Sequence, residues 1–136
     1  MVIYEPLKIC VSLKASASDL VGFHWQTNAI AADFILPGRD KELLRVAFGR
    51  ECIVRLLDEM PLSTEDDPVL RQGMAKDHFA YRVSGAPFSR RQSPSWLEIM
   101  APVSHYQFVT GWACMDVLSP ASPTFEIIER PSDAAK

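Results

Sequence analysis

The sequence predicts an α+β domain: a predominantly antiparallel, strongly curved or barrel-like β-sheet with two short helices. Three observations predict it. Apolar and polar residues alternate with period two in several short runs, as along a strand with one buried face. Glycine and proline punctuate the chain between those runs. The connections are too short for helical crossovers, so consecutive strands must be antiparallel neighbours.

In chain order, residues 8–14 (KICVSLK) alternate strictly, with Ile9, Val11 and Leu13 on one face and Lys8, Cys10, Ser12 and Lys14 on the other, the pattern of a half-buried strand. ASASDLVG reads as a loop. FHWQTNAIAADFIL (23–36) reads as one bent strand or two and ends at Pro37-Gly38, a pair suited to a type II turn. Residues 41–60 (KELLRVAFGRECIVRLLDEM) hold enough Glu, Leu and Arg for a helix. Gly49 interrupts them, however, and Leu44, Val46 and Phe48 alternate with Arg45 and Ala47, so two strands turning near Gly49-Arg50 are expected. An acidic loop, STEDDP, follows.

Asp66-Asp67-Pro68 is helix-start chemistry and predicts a short helix over VLRQGMAK, residues 69–76. In HFAYRVSG (78–85), Phe79, Tyr81 and Val83 alternate with His78, Ala80 and Arg82, a further strand. The run SGAPFSRRQSPS is turn chemistry. Ser93-Pro94 then opens a second short helix, SWLEIM, with Trp96, Ile99 and Met100 on one face and Ser95 with Glu98 as a capping box. HYQFVTGWACMDVLS (105–119) reads as two strands folded back at Thr110-Gly111, and TFEIIE as the last strand. No repeat or linker divides the chain, so residues 1–136 form a single domain, with 131–136 expected to fray.

Composition bounds the function. Of 136 residues, 48% are apolar and 23% charged, which places the chain with folded globular proteins large enough to need no disulfide or metal staple. A net charge of −3 gives no positive field, so neither nucleic acid nor an anionic membrane is expected as a partner. Cys10, Cys52 and Cys114 form no CxxC pair and no Cys/His set spaced for zinc, which predicts reduced thiols and a cytoplasmic protein. MVIYEPLK lacks the basic start and apolar run of a signal peptide, and no stretch reaches the ~20 apolar residues of a membrane span. The six glycines are isolated, and His24, His78 and His105 do not stand at ligand spacing, so neither cofactor nor metal is expected.

One hairpin carries a sharper constellation. With Thr110-Gly111 as a two-residue turn, Val109 faces Trp112, Gln107 faces Cys114 and His105 faces Asp116. Cys114, His105 and Asp116 then supply the thiol, base and orienting acid of a cysteine nucleophile, with Gln107 as oxyanion donor. Those are the parts of a hydrolase or acyl transferase working through a thioester. The competing reading is a core cysteine beside a structural histidine–aspartate pair, which the apolar neighbours Ala113, Met115, Val117 and Leu118 favour.

Binding residues are indicated by charge. Residues 51–68 hold one basic and six acidic groups, whereas 69–91 hold five basic and one acidic. Arg90 and Arg91, with Trp96 nearby in a proline-stiffened stretch, suit a phosphate or carboxylate. Glu65, Asp66 and Asp67, with Asp58 and Glu59, suit a basic protein surface. The expected function is therefore a non-enzymatic protein-binding or regulatory module, immunity-type inhibitors included. Its exposed edge strands predict a homodimer. A third expectation is a small molecule inside the curved sheet, with aromatic side chains near Gly22 and Gly111 at the mouth.

Overall fold

The computed structural model describes residues 1–58 and 71–131. In chain order these form β1 (Val2–Pro6), a 3-10 turn (Ala15–Ala17), β2 (Leu20–Trp25), β3 (Ala29–Ile35), β4 (Glu42–Gly49), β5 (Ile53–Asp58) and β6 (Arg71–Gln72). After them come β7 (Ala80–Ser84), the helices α1 (Pro87–Arg90) and α2 (Pro94–Ile99), β8 (Ser104–Phe108), β9 (Ala113–Ser119) and β10 (Thr124–Glu129). The mixed class and the antiparallel pairing agree with the sequence; among the described residues only the short β1–β6 contact is parallel.

The expectation of one strongly curved or barrel-like sheet is corrected. Two open sheets form instead, a six-stranded one in the order β5-β9-β8-β7-β1-β6 and a four-stranded one in the order β10-β4-β3-β2. The turn at Gly49-Arg50 falls where it was expected, but it makes no hairpin. It hands the chain from β4 in one sheet to β5 in the other, so strands adjacent in sequence part company.

Period-two alternation builds the shared core. Ile30, Ala32 and Phe34 of β3 and Leu44, Val46 and Phe48 of β4 pack against Tyr106 and Phe108 of β8 and Met115 and Val117 of β9. Phe34 meets Phe79 edge-on at 4.7 Å between ring centroids, and Phe48 lies 5.5 Å from Tyr106. The interior between the sheets is thus filled by aromatic rings. The small molecule expected inside the sheet is therefore corrected: side chains of the two sheets occupy that place. The opposite face of the six-stranded sheet carries a smaller core of Val2, Tyr4, Tyr81, Val83 and Ala86.

Residues 8–14 form no strand. Their alternation is real all the same: Leu13 is buried, and Ile9 and Val11 pack on the main core with Leu7. Period two reported the buried face of an extended segment, which a ladder does not have to join. The helix expected over 69–76 is also corrected, because within its described part Arg71 and Gln72 pair with Val2 and Ile3. In its place α1 forms inside the run read as turns, with Pro87 in its first turn, where a missing N–H costs nothing. The helix α2 is capped by Ser93, whose Oγ accepts from Trp96 N at 3.3 Å, rather than by Ser95. At Pro37-Gly38 the type II turn is present: Arg39 N donates to Leu36 O at 3.0 Å and Gly38 has φ +82°.

Candidate functional site

Along β8, Tyr106 and Phe108 point into the main core, which turns His105 and Gln107 to the opposite face. Along β9, Met115 and Val117 point inward, and Cys114, Asp116 and Leu118 share the face of His105. The four residues of the predicted constellation therefore do lie on one face, but at another register. Gln107 pairs with Asp116 and His105 with Leu118, two positions away from the two-residue-turn expectation. An even slip keeps the face and changes the partners.

The turn explains the slip. The Thr110 hydroxyl donates to Ala113 O and accepts from Trp112 N at 3.1 Å, so four residues, 109–112, are taken up between the strands. Gly111 is required there: its N–H donates to Ser18 O at 3.3 Å, and a Cβ would meet Ser16 O at 2.5 Å.

Asp116 is fully buried and saturated with donors. Arg55, opposite it on β5, donates from Nε at 3.0 Å and Nη2 at 2.7 Å. Gln107 Nε2 donates at 3.0 Å and His105 Nε2 at 2.7 Å. Burial pushes the Asp116 carboxyl up, but the hydrogen bonds and charge of His105, with those from Gln107 and Arg55, hold it below its ordinary value. An ionised carboxylate only accepts, so the His105 Nε2 carries a proton. Its Nδ1 is buried with no hydrogen-bond partner. Phe88 of α1 closes over the cluster, its ring centroid 5.3 Å from the His105 ring and 4.5 Å from the Arg55 guanidinium carbon.

Cys114 stands apart from this arrangement. It is 0% exposed, pairs with Leu57 of β5, and lies four positions along β9 from the residue opposite His105. The two ring nitrogens of His105 go to Asp116 and to nothing, so the structure makes no thiol–imidazole hydrogen bond. What the cluster does in chemical terms is fix α1. Asp116 holds Arg55, and Arg55 and His105 together hold Phe88.

The remainder of α1 faces a pocket of about 410 Å³ where β7 ends and β8 begins. Ser89 and Arg90 from α1 and His105 from β8 line it, together with Arg82, Ser84 and Ser104, whose side chains the register sets with Tyr106 on the face opposite His105. Its apolar wall is Val83, Leu97, Val103 and Leu118. Among the described residues no carboxylate lines it. Of the predicted anion-binding residues, Arg90 reaches the pocket; Arg91, exposed at the α1 C-cap, and Trp96, half-buried on α2, do not line it. The acidic residues Glu65, Asp66 and Asp67, with Glu59, lie outside the described residues.

Two sets of residues escaped the sequence reading. Arg55 sits alone among apolar residues in IVRLL, and Asp33 likewise in AIAADFI. A lone charge in an apolar strand needs a partner, and that was the available signal. Asp33 finds Arg45 at 2.8 and 2.9 Å and His24 at 2.9 Å on the outer face of the four-stranded sheet. Burial raises the Asp33 pKa, and these partners more than reverse the effect. Arg82, Ser84 and Ser104 were the second set. Nothing in the sequence says that two strand ends will meet a helix there.

Among the described residues no group of three or more His, Cys, Asp and Glu side chains is disposed to hold a metal ion, and no helix is long and apolar enough to cross a membrane. Compared with protein-family models, with curated proteins and with solved structures, the chain matches none.

Proposed function

We propose that the protein is a non-enzymatic binding domain that holds an anionic ligand in the pocket between the ends of β7 and β8 and helix α1. The observation that carries this reading is Arg90 of α1 at the edge of an apolar-floored pocket with no carboxylate among its described lining residues. Arginine makes paired hydrogen bonds to carboxylate and phosphate oxygens, and a pocket of this size falls within the range of small-molecule sites. The reading keeps the class expected from sequence, a binding module. It moves the contact from the acids at 65–67 to the basic pocket.

Titration calorimetry with acetate, octanoate and inorganic phosphate tests it on the intact chain and on Arg90→Ala. Arg90 is exposed and makes no contact in either core, so the variant should fold normally by circular dichroism. Binding of at least one of these anions, weakened about tenfold or more by the substitution, is the expected result; tenfold corresponds to about 1.4 kcal/mol. Absence of binding by all three, or binding indifferent to Arg90, removes the proposal.

A further inference from the structure

We infer that the ligand of this pocket is an amphipathic organic acid, a carboxylate on a hydrocarbon or aromatic body, that enters body first and leaves its charge at the rim. The inference rests on the anion-binding reading above and narrows it to a ligand class.

The burial of the lining residues gives the direction. At the floor, Val83 and Leu118 are 4% and 1% exposed, and the half-buried Leu97 and Val103 form the sides. The charge is at the mouth: Arg90 of α1 lines the pocket and is exposed. A ligand that pushed its charge to the bottom would meet valine and leucine there. His105 offers it no donor either, since its Nε2 is committed to Asp116 and its Nδ1 is closed off from solvent. An inorganic anion would use only the rim and leave the apolar floor wet, forgoing the roughly 25 cal/mol per Å² that apolar burial supplies. A neutral hydrophobe would fill the floor and leave Arg90 without a partner. Only a molecule with both parts meets both walls.

Charge complementarity agrees with this orientation. Asp116, bonded to the lining His105, is paired with Arg55 and does not itself line the pocket. Arg90 ends a four-residue helix held down by Phe88, so packing places its backbone beside the pocket.

The test compares acetate, inorganic phosphate and octanoate by calorimetry on the whole protein, its Arg90→Ala variant and Leu97→Asn. Leu97 is half-buried on a short surface helix and belongs to neither core, which makes the substitution mild for folding. Octanoate should bind at least tenfold more tightly than acetate or phosphate. Leu97→Asn should weaken octanoate severalfold and leave acetate unchanged, while Arg90→Ala should weaken every anion that binds. If acetate, phosphate and octanoate bind equally and all depend on Arg90, the amphipathic ligand is wrong and the anion site stands. If none binds, or if octanoate binds without regard to Arg90, the anion site falls and this inference with it.

Discussion

At the scale of single residues, Asp116 decides more than any group on the surface. A fully buried carboxylate is tolerable only because four hydrogen bonds from Arg55, Gln107 and His105 converge on it. Breaking such a set leaves donors desolvated and unpaired, which typically costs 3–5 kcal/mol. Arg55 keeps a quarter of its side chain in water, so Asp116→Asn should fall at the low end, about 3 kcal/mol, in urea unfolding with an unchanged slope. Asp33→Asn should cost less, about 1 kcal/mol, because Arg45 and His24 are 34% and 44% exposed and can turn to solvent. Equal losses at the two positions would show that burial is not what sets the weight of these pairs. The sequence made His105, Gln107 and Asp116 legible as a group sharing a face, since side-chain parity survives an even slip. It did not reveal Arg55, which comes from a strand 61 residues away, or the Thr110 hydroxyl bonds that set the register.

At the scale of elements, α1 is the piece on which the site depends and the one the sequence concealed. Gly85, Pro87, Ser89 and Ser93 are all turn formers, and in four residues a helix has no periodicity to display. The helix exists because Phe88 is buried against Arg55 and His105, a tertiary cause that no local pattern records. The helix expected over 69–76 fails for the complementary reason: its start signal is sound, but Arg71 and Gln72 find an open edge on β1. Phe88→Ala should therefore act in two ways. It should destabilise the fold by about 3 kcal/mol, as large-to-small changes in a packed site do. It should also raise hydrogen exchange in residues 86–92 beyond what the global loss explains, and weaken anion binding along with it, because Ser89 and Arg90 lose their anchor. Exchange that rises uniformly through the molecule while binding is kept would mean that α1 is held by something other than Phe88.

At the scale of the whole molecule, two sheets share one aromatic core, and each has on its outer face a carboxylate locked by arginine and histidine. Strand content and most strand positions were readable from alternation and turn residues. The division into two sheets was not, since it depends on where the chain goes after Gly49, which period-two alternation does not encode. The two locked carboxylates give the assembly a common response to acid. Both carboxyls are held below the ordinary carboxylate value by their arginine and histidine partners, so both groups bind protons more readily in the unfolded chain. Their stabilisation is accordingly complete above the unfolded carboxylate value of about 3.9 and is lost as pH falls through the depressed folded values. Urea unfolding followed from about pH 6 down to about pH 2 should show stability falling steeply at the acid end of that range. The double variant Asp33→Asn/Asp116→Asn should start lower at neutral pH and fall along a shallower slope, since it has no such protons to take up, so that the two curves converge in acid. The remaining acids titrate in both proteins and cancel in the comparison. Parallel curves, separated by the same free energy at every pH, would place the acid sensitivity elsewhere and leave the locked carboxylates a role in packing alone.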